Sequence, residues 1–282
     1  MLRALSDDAL YALLREDVPY GDLTTIGLGL ADQPGSAVMA ARQPMTVCGS
    51  EEAARLFELL GATVTVQSPS GRHVLAGAEI ISAQGRAATL LQAWKVAQTL
   101  MEHASGIASE AARIVTELRA AGHQVPLACT RKAFPGTRAL SVKAVLCGGG
   151  IMHRHGLSDS LLLFPEHRVF VDGHMDETVG RLRRFQPEKR LVVEVNSLQE
   201  ALVMAESGAE VLQLERFTPD AVRQCKLTLH KSHLHPMLAV AGGVNAANAV
   251  AYADAGADVL VSSAPYQAPP RDVEVRFARG MA

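Results

Sequence analysis

The sequence predicts an α/β protein whose second part is a parallel sheet, closed into a complete or incomplete α/β barrel. From Pro126 onward, apolar strand-like runs alternate with amphipathic helical segments. This alternation is typical of parallel strands, and near-continuous apolar strands indicate that helices cover both faces of the sheet. Before about residue 108, the chain instead mixes helical stretches with short alternating strands. Periodicity leaves a doubly wound open sheet as the alternative.

The first part contains predicted helices and short strands in turn. Apolar residues recur at helical spacing in DDALYALLRED and SEEAARLFELL, and the second segment ends at Gly61. The alternating segments SAVMAARQ, ATVTVQ and AEIISAQG predict strands. A long helix is predicted from about Ala87 to His103, and the segment SGIASEAARIVTELRAAG predicts another helix after it.

The second part contains six candidate strands, which are LACT, RVFVD, LVVEV, EVLQLE, MLAVAGG and DVLVSS. Helical segments such as SLQEALVMAESG and NAANAVAYADAG lie between them, and each of these two ends at a glycine. Six strands connected by helices in this way predict the barrel.

Composition and charge indicate an ordinary globular chain and exclude several classes of partner. Hydrophobic residues make up 48% of the 282 positions, and 27 Lys and Arg nearly balance 29 Asp and Glu. We therefore expect no nucleic-acid partner and no membrane partner. No apolar run approaches the roughly 20 residues of a membrane-spanning helix. Acidic residues near the start, where a signal peptide needs an apolar core, predict a cytoplasmic protein.

Cysteine and histidine spacing gives little support for a transition-metal site. The four cysteines are far apart and form no CxxC pair, which predicts reduced thiols: Cys48, Cys129, Cys147 and Cys225. The segment LHKSHLHPM carries His230, His233 and His235. Such a group could bind a transition metal, but with no carboxylate nearby we interpret these residues as surface or core histidines.

Polar residues and glycines recur where the predicted strands end. In a barrel of parallel strands, active-site groups gather at the carboxyl ends of the strands. Each one alone could simply face solvent, but their recurrence on successive strands predicts a site at the barrel mouth. These residues are Thr130, Arg131, Lys132, Glu194, Glu215, Gly242, Gly243, Ser262 and Ser263.

The last two strand ends predict a phosphate site. Gly242 and Gly243 precede a helix predicted to start near Asn245, so backbone N–H groups at that helix start can face a phosphate. Ser262 and Ser263 on the next strand offer hydroxyl donors. The alternative is a plain turn made by two glycines.

A stretch without acidic residues predicts a second anion pocket. From Leu118 to Ser158 there is no Asp or Glu, so the basic residues of this stretch create a positive potential. The alternative to an anion pocket is a basic surface that faces solvent. The basic residues of this stretch are Arg119, His123, Arg131, Lys132, Arg138, Lys143, His153, Arg154 and His155. Glu194 and Glu215 would supply the opposite charge and could hold Mg²⁺ against substrate phosphates.

The segment CTRKAFPGTRALSVKAVLCGGGIMHRHGLSD resembles the signature region of quinolinate phosphoribosyltransferases, TRKT-x-PG-x-R followed by GGG-x-x-HR-x-x-LSD. The likeness covers nearly the whole chain, from EDVPYGDLTT through HASGIAS, VEVNSLQEA and LQLERF to AVAGGV. It implies an N-terminal α/β sandwich domain (residues 1–108, joined by the tail 270–282) and an irregular or incomplete TIM-like barrel (residues 109–269). It also implies a homodimer or higher homo-oligomer whose active sites include residues from both subunits.

By the same resemblance, the chain would transfer a phosphoribosyl group, with Mg²⁺, from phosphoribosyl pyrophosphate to an aromatic N-heterocyclic acid or a related acceptor. Pyrophosphate would be released. Arg131, Lys132, Arg138, His153 and Arg154 would line the anionic pocket. Glu194 and Glu215 would hold Mg²⁺ and the ribose hydroxyls, and with Lys132 they form the predicted catalytic set. Gly242, Gly243 and Ser263 would hold the 5′-phosphate.

Three residues depart from the family pattern. Lys95, in WKVAQTL, stands where the family has an Arg, and Glu215 stands where it has an Asp. Phe164, in LLLFPEH, stands where the family has a Lys that contacts a quinolinate carboxylate. A buried charge without a partner costs several kcal/mol, so we expect weaker recognition of a dicarboxylate. WKVAQTL, LLLFPEH and SSAPYQAPP are similar to the ModD-type branch, named for its association with molybdenum-transport genes.

Two other functions stay open on the sequence. A lysine on a barrel, Lys132 or Lys143, could form a Schiff base as in aldolases. The chain could instead be a non-catalytic protein of the same fold that binds a phosphoribosyl group or another anion.

Overall fold

The structure, a computed structural model, describes residues 3–280. Within this range the chain divides into two compact units. The first comprises residues 3–112, Phe134–Gly149 and residues 265–280; the second comprises Arg113–Ala133 and Gly150–Ala264. Residues 1–2 and 281–282 of the predicted N-terminal domain and tail lie outside the described residues, and the predicted domain boundaries stay a prediction.

The strands of residues 3–280 form three sheets. They are β1 (Pro34–Ala41), β2 (Met45–Thr46), β3 (Thr63–Val66), β4 (His73–Val74), β5 (Glu79–Arg86), β6 (Leu127–Cys129), β7 (Ile151–Met152), β8 (Leu161–Leu163), β9 (Leu191–Val195), β10 (Val211–Glu215), β11 (Met237–Ala241), β12 (Val259–Ser262) and β13 (Val273–Arg279). The first unit contains an antiparallel sheet in the order β13–β1–β5–β3 and the pair β2–β4. The second unit contains a seven-stranded parallel sheet in the order β7–β6–β12–β11–β10–β9–β8.

The helices of the described chain differ in how they begin, and some of them have a side-chain cap. They are α1 (Asp7–Asp17), α2 (Leu23–Gly27), α3 (Ser50–Leu59), α4 (Ala87–Ala120), α5 (Arg138–Cys147), α6 (Pro165–Arg168), α7 (Met175–Phe185), α8 (Leu198–Glu206), α9 (Pro219–Lys231) and α10 (Ala249–Asp254). Ser6, Ser197 and Thr218 each accept a backbone N–H of the first turn of α1, α8 and α9, respectively. None of these helices is long and apolar enough to cross a membrane.

The two edges of the parallel sheet approach each other. The Arg154 guanidinium, which follows edge strand β7, lies 5.5 Å from the ring centre of Phe164, which follows edge strand β8. The sheet is therefore a curled half-barrel, and the predicted incomplete α/β barrel is confirmed. The doubly wound open sheet was the wrong alternative.

The helix that was predicted in two pieces is one continuous helix, α4. Ser105 and Gly106 in the middle of α4 suggest a break in the helix. They are instead small residues at which α4 packs closely against other segments of the first unit. The Ser105 hydroxyl accepts the backbone N–H of Cys48 at 3.0 Å. A Cβ atom at Gly106 would lie 2.5 Å from the carbonyl oxygen of Pro269. Small residues at this point therefore reflect close contacts rather than a helix end.

The predicted strand RVFVD was wrong. Arg168 ends α6, and the side chains of Val169 and Phe170 are 79% and 87% exposed. The strand of this region is β8, just upstream, and Pro165 begins the helix that follows it. A short apolar run does not by itself distinguish a strand from an exposed turn. The strand β7 was also missed, because two residues are too few to show a strand pattern.

The helix predicted to start near Asn245 begins four residues later, at Ala249. Residues 245–248 form a turn closed by two asparagine side chains. Asn248 accepts the backbone N–H of Asn245 at 2.8 Å, and its own amide donates to the carbonyl of Gly243 at 3.0 Å. Asn and Asp side chains often replace a helical turn in this way.

Candidate active site

Every strand of the parallel sheet carries a predicted site residue at its carboxyl end. In the order β6 to β12, these residues are Arg131 and Lys132, His153 and Arg154, Phe164, Glu194, Glu215, Gly242 and Gly243, and Ser262 and Ser263. Carboxyl ends of parallel strands meet at one edge, so the second unit brings these residues together. Lys95 and Arg138 are the two predicted residues that belong to the first unit.

Two carboxylates on neighbouring strands form the acidic side of this edge. Glu194 on β9 pairs in register with Gln213 on β10, and Glu215 follows two residues later on the same face of β10. Burial raises the pKa of the Glu194 carboxyl, and the nearby charge of Glu215 raises it further. The charge of Lys132 acts in the opposite direction, which places the end of β6 within electrostatic reach of Glu194.

Gln213 is a site residue that sequence reasoning missed. Its Nε2 donates to Glu194 Oε2 at 2.6 Å and so orients that carboxylate. Its own Oε1 is buried and has no hydrogen-bond partner within residues 3–280. Buried polar atoms normally have partners, so this oxygen can accept a donor from a bound molecule. A glutamine in the otherwise apolar run VLQLE was the signal that could have identified it.

The basic side of the edge contains a buried guanidinium. Arg154 is only 5% exposed, and no carboxylate among residues 3–280 forms an ion pair with it. Burial lowers the pKa of Arg154, and the neighbouring charge of Arg131 lowers it further, while the charge of Asp159 acts in the opposite direction. Burial, followed by the charge of Arg154, also lowers the pKa of His153. A buried cation beside a second cation is stabilised by an anionic ligand.

Phe164 lies in a stack of side chains at the end of β8. Its backbone N–H donates to His167 Nδ1 at 3.0 Å, and the two rings stack with centres 5.8 Å apart. The guanidinium of Arg154 lies on the ring of Phe164, as described above. His167 was not predicted as a site residue, although LLLFPEH places it three positions after Phe164. Phe164 offers an aromatic face but no donor to a carboxylate.

The glycine loop after β11 passes very close to β10. Gly242 has a φ of 87°, and a Cβ there would lie 2.6 Å from Arg216 Cγ and 2.8 Å from Glu215 Oε1. Only glycine fits this position, since both the backbone conformation and the space exclude a side chain. The loop therefore contacts Glu215 directly.

The two serines after β12 differ. The buried hydroxyl of Ser262 donates to the carbonyl of Val244 at 2.6 Å and accepts the N–H of Ala264 at 3.0 Å. Its hydrogen is already in use, so a phosphate contact from this hydroxyl would require that bond to break. Ser263 is half-buried and is the better-placed donor of the two.

Lys95 and Arg138 lie on the surface of the first unit. Lys95 Nζ donates to Gln98 Oε1 at 2.8 Å and lies 4.0 Å from the ring centre of Trp94. Arg138 is the exposed first residue of α5. Their predicted roles in substrate binding stay predictions.

Lys143 does not belong to the barrel. It lies on α5 in the first unit, and its Nζ donates to Glu51 Oε2 at 2.8 Å and to Glu52 Oε2 at 2.6 Å. Burial alone would lower the pKa of this ammonium, but the two hydrogen bonds outweigh burial and raise it. A Schiff-base lysine must lose its proton readily, so this residue does not fit the aldolase alternative.

The histidine segment lies at the opposite end of the sheet. The rings of His230 and His235 meet edge to face with centres 4.7 Å apart, and both line a cavity of about 680 Å³ near the amino ends of the strands. In the described part of the chain, no group of three or more His, Cys, Asp or Glu side chains could hold a metal. Because the residues lining this cavity lie at the amino ends of β9 to β12, it is separate from the predicted site at the carboxyl ends.

Comparison with known proteins covers nearly the whole chain. The family described as "Quinolinate phosphoribosyl transferase, N-terminal domain" matches residues 22–105. The corresponding "C-terminal domain" matches residues 107–276. Together the two matches include all the predicted site residues.

Relatives and solved structures agree with this match. A protein of Rhodobacter capsulatus that bears the name pyrophosphorylase ModD is 51% identical over 249 residues, covering 87% of this chain and 95% of the relative. An Archaeoglobus fulgidus protein that bears the name nicotinate-nucleotide pyrophosphorylase (carboxylating) is 30% identical, covering 92% and 99%. The structure of the nicotinate-nucleotide pyrophosphorylase from Francisella tularensis superposes with a TM-score of 0.86 at 25% identity, covering 95% and 94%.

Both family domains are present in order, and the folded barrel brings the signature residues of its seven strand ends to one edge. The chain therefore belongs to the quinolinate phosphoribosyl transferase family of pentosyltransferases.

Proposed function

We propose that this chain transfers the phosphoribosyl group of phosphoribosyl pyrophosphate to an aromatic N-heterocyclic acid or a related acceptor and releases pyrophosphate. The observation that supports this most is the buried guanidinium of Arg154, which forms no ion pair with a carboxylate of residues 3–280 and lies at the same strand-end edge as Glu194 and Glu215. A site with both charges suits a substrate that carries several anionic groups and a divalent cation.

The residues present fit Mg²⁺. Glu194 and Glu215 offer hard carboxylate oxygens, and burial, followed by the charge of Glu215, raises the pKa of Glu194. Mg²⁺ is commonly bound by one or two carboxylates together with substrate phosphates. The unpartnered Oε1 of Gln213 could accept a ribose hydroxyl or a metal-bound water beside them. When bound, the ion would stabilise negative charge on the pyrophosphate.

The side chains supply positioning and charge rather than a nucleophile. As the bond between ribose C1 and the pyrophosphate oxygen breaks, positive charge grows on the ribose and negative charge on the leaving group. Lys132 and Arg131, at the end of β6, would stabilise that negative charge. Gly242, Gly243 and Ser263 would hold the 5′-phosphate. Correct orientation of the two substrates contributes about 7–11 kcal/mol in well-oriented systems.

Phe164 bears on the choice of acceptor. The family's lysine at this position would pair with one carboxylate of quinolinate, whereas Phe164 presents an aromatic face supported by His167 and Arg154. That carboxylate of quinolinate would lie against the ring of Phe164 without a cationic partner, which costs several kcal/mol. We therefore expect an aromatic acceptor with fewer carboxylates than quinolinate.

Pyrophosphate release tests the proposal. Purified protein with phosphoribosyl pyrophosphate and Mg²⁺ is assayed with quinolinate, nicotinate and a panel of aromatic acids and bases. We expect release with at least one acceptor, and more with monocarboxylates than with quinolinate. Tight binding of phosphoribosyl pyrophosphate without release for any acceptor would favour the non-catalytic binding protein. A homo-oligomer with shared sites, a cytoplasmic location and a link to molybdenum transport stay predictions.

A further inference from the structure

Two of the four cysteines lie together in the first unit. Cys48 follows β2, and Cys147 is the last residue of α5. Their thiols share a hydrogen bond, and both side chains belong to a small apolar cluster with Ala104, Ala108 and Ala144. The other two cysteines, Cys129 and Cys225, lie in the second unit.

Helix α4 holds both members of the pair in place. Ser105 Oγ accepts the backbone N–H of Cys48 at 3.0 Å and donates to its carbonyl at 3.3 Å. One turn further along α4, the residue after Cys147 approaches so closely that a Cβ at Gly148 would lie 2.5 Å from the carbonyl oxygen of Ala108. The backbones at Cys48 and Cys147 are thus both held against α4, and the side chain of Cys147 packs against the cluster that contains Cys48.

The two thiols differ in exposure and acidity. Cys147 is half-buried, whereas Cys48 is fully buried. The hydrogen bond from Cys48 lowers the pKa of Cys147, and the charge of Lys143 acts in the same direction, whereas burial and the charges of Glu51 and Glu52 oppose this shift. The same hydrogen bond raises the pKa of Cys48. Cys147 is therefore the accessible thiol with more thiolate character, which is the nucleophilic form.

We propose that Cys147 and Cys48 form a peroxide-sensitive pair that is converted reversibly into a disulfide. The Cys147 thiolate attacks an oxygen of hydrogen peroxide, releasing hydroxide and forming a sulfenic acid. The Cys48 sulfur then attacks the Cys147 sulfur, so that the disulfide forms and water leaves. In sum, two thiols and one peroxide give one disulfide and two waters.

The other two cysteines provide matched controls. Burial raises the pKa of Cys129 to about 12 and that of Cys225 to about 11. Both are buried. They should stay reduced under conditions that oxidise the pair, because neither is accessible and neither has thiolate character at neutral pH.

The test is a thiol count and peptide map of the full chain after mild treatment with hydrogen peroxide. Reduced protein is oxidised, alkylated with N-ethylmaleimide in denaturant and digested for mass spectrometry. We expect loss of two of the four thiols, a peptide linking Cys48 to Cys147, and full recovery with dithiothreitol. Cys225→Ser should behave as the wild type, whereas Cys147→Ser should lose no thiol and Cys48→Ser should give oxidised Cys147 without a cross-link.

The wild-type map alone decides the matter if a serine variant does not fold. Oxidation of Cys147 without the link, a link between two chains, or unchanged thiols would each overturn the proposal. The test measures the oxidation of thiols in the first unit and not turnover, so its outcome is independent of the pyrophosphate assay.

Discussion

At the scale of single residues, Arg131 and Glu194 lie near the carboxyl ends of strands β6 and β9, where predicted site residues gather. Arg131→Ala and Glu194→Ala should each lower pyrophosphate release by at least about 100-fold, since each removes a preorganised charge at the reaction centre. Steady-state kinetics, with circular dichroism to check folding, measure this. Arg223→Ala, an exposed arginine on α9, is the matched control. Near-wild-type rates in either variant would refute the site.

Phe164 is the residue at which acceptor choice can be tested. Phe164→Lys should raise kcat/KM for quinolinate relative to nicotinate by about 10- to 100-fold, because a charge-assisted hydrogen bond is worth roughly 1.5–3 kcal/mol. The ratio of the two rates in one preparation is the measurement. Phe164→Leu keeps the position apolar and should leave the ratio unchanged. An equal ratio in all three proteins would show that this side chain does not face the acceptor.

At the scale of elements, buried charges join α3 to α5 in the first unit. Lys143 and Glu52 have side chains that are 4% and 0% exposed, and Glu51 is 17% exposed. Lys143→Met leaves the carboxylates of Glu51 and Glu52 without their buried cation and should destabilise the first unit by about 3–5 kcal/mol. Urea unfolding followed by circular dichroism measures the loss. Arg223→Met, which breaks only an exposed pair, should change the midpoint little.

The same elements predict how stability depends on pH. Burial opposes ionisation of Glu51, but hydrogen bonds from Lys143 and Ser70 outweigh it and lower the pKa of Glu51 to about 2. A carboxyl with a lowered folded-state pKa stabilises the fold above its ordinary value of 4.5 and loses that contribution as pH falls toward 2. The thermal midpoint of wild type should therefore fall between pH 5 and about 2 more than that of Glu51→Gln. Parallel curves for the two proteins would contradict this.

At the scale of the whole molecule, the predicted sharing of sites between subunits has a direct test. Lys95 belongs to the first unit and Glu194 to the second. If Lys95 of one subunit serves the site of its partner, mixing Lys95→Ala and Glu194→Ala chains should create some wild-type sites. We expect the mixture, after subunit exchange, to recover about a quarter of wild-type activity. Activity no higher than the mean of the two variants would assign Lys95 to its own subunit or to no site.

The sequence by itself determined the fold class and which residues stand at the strand ends of the parallel sheet. Periods of 2 and 3.6 residues are local properties, and strand-end residues of parallel strands converge whatever the details of packing. The family signature then assigned roles to these residues. The strands β9 to β12 followed from these local patterns, as did α8 and α10, two of the three helices between them.

Only the tertiary structure decided the rest, because it depends on contacts between residues far apart in the chain. Lys143 was expected in an anion pocket. The structure instead places it in a buried cluster with Glu51 and Glu52, about 90 positions away. In the folded chain the hydroxyl of Ser262 donates to the carbonyl of Val244, and Gln213 donates to Glu194. Cys48 and Cys147 likewise share a hydrogen bond. The tertiary structure also formed the two-residue strand β7, which is too short to have a period of its own and exists only as the edge partner of β6.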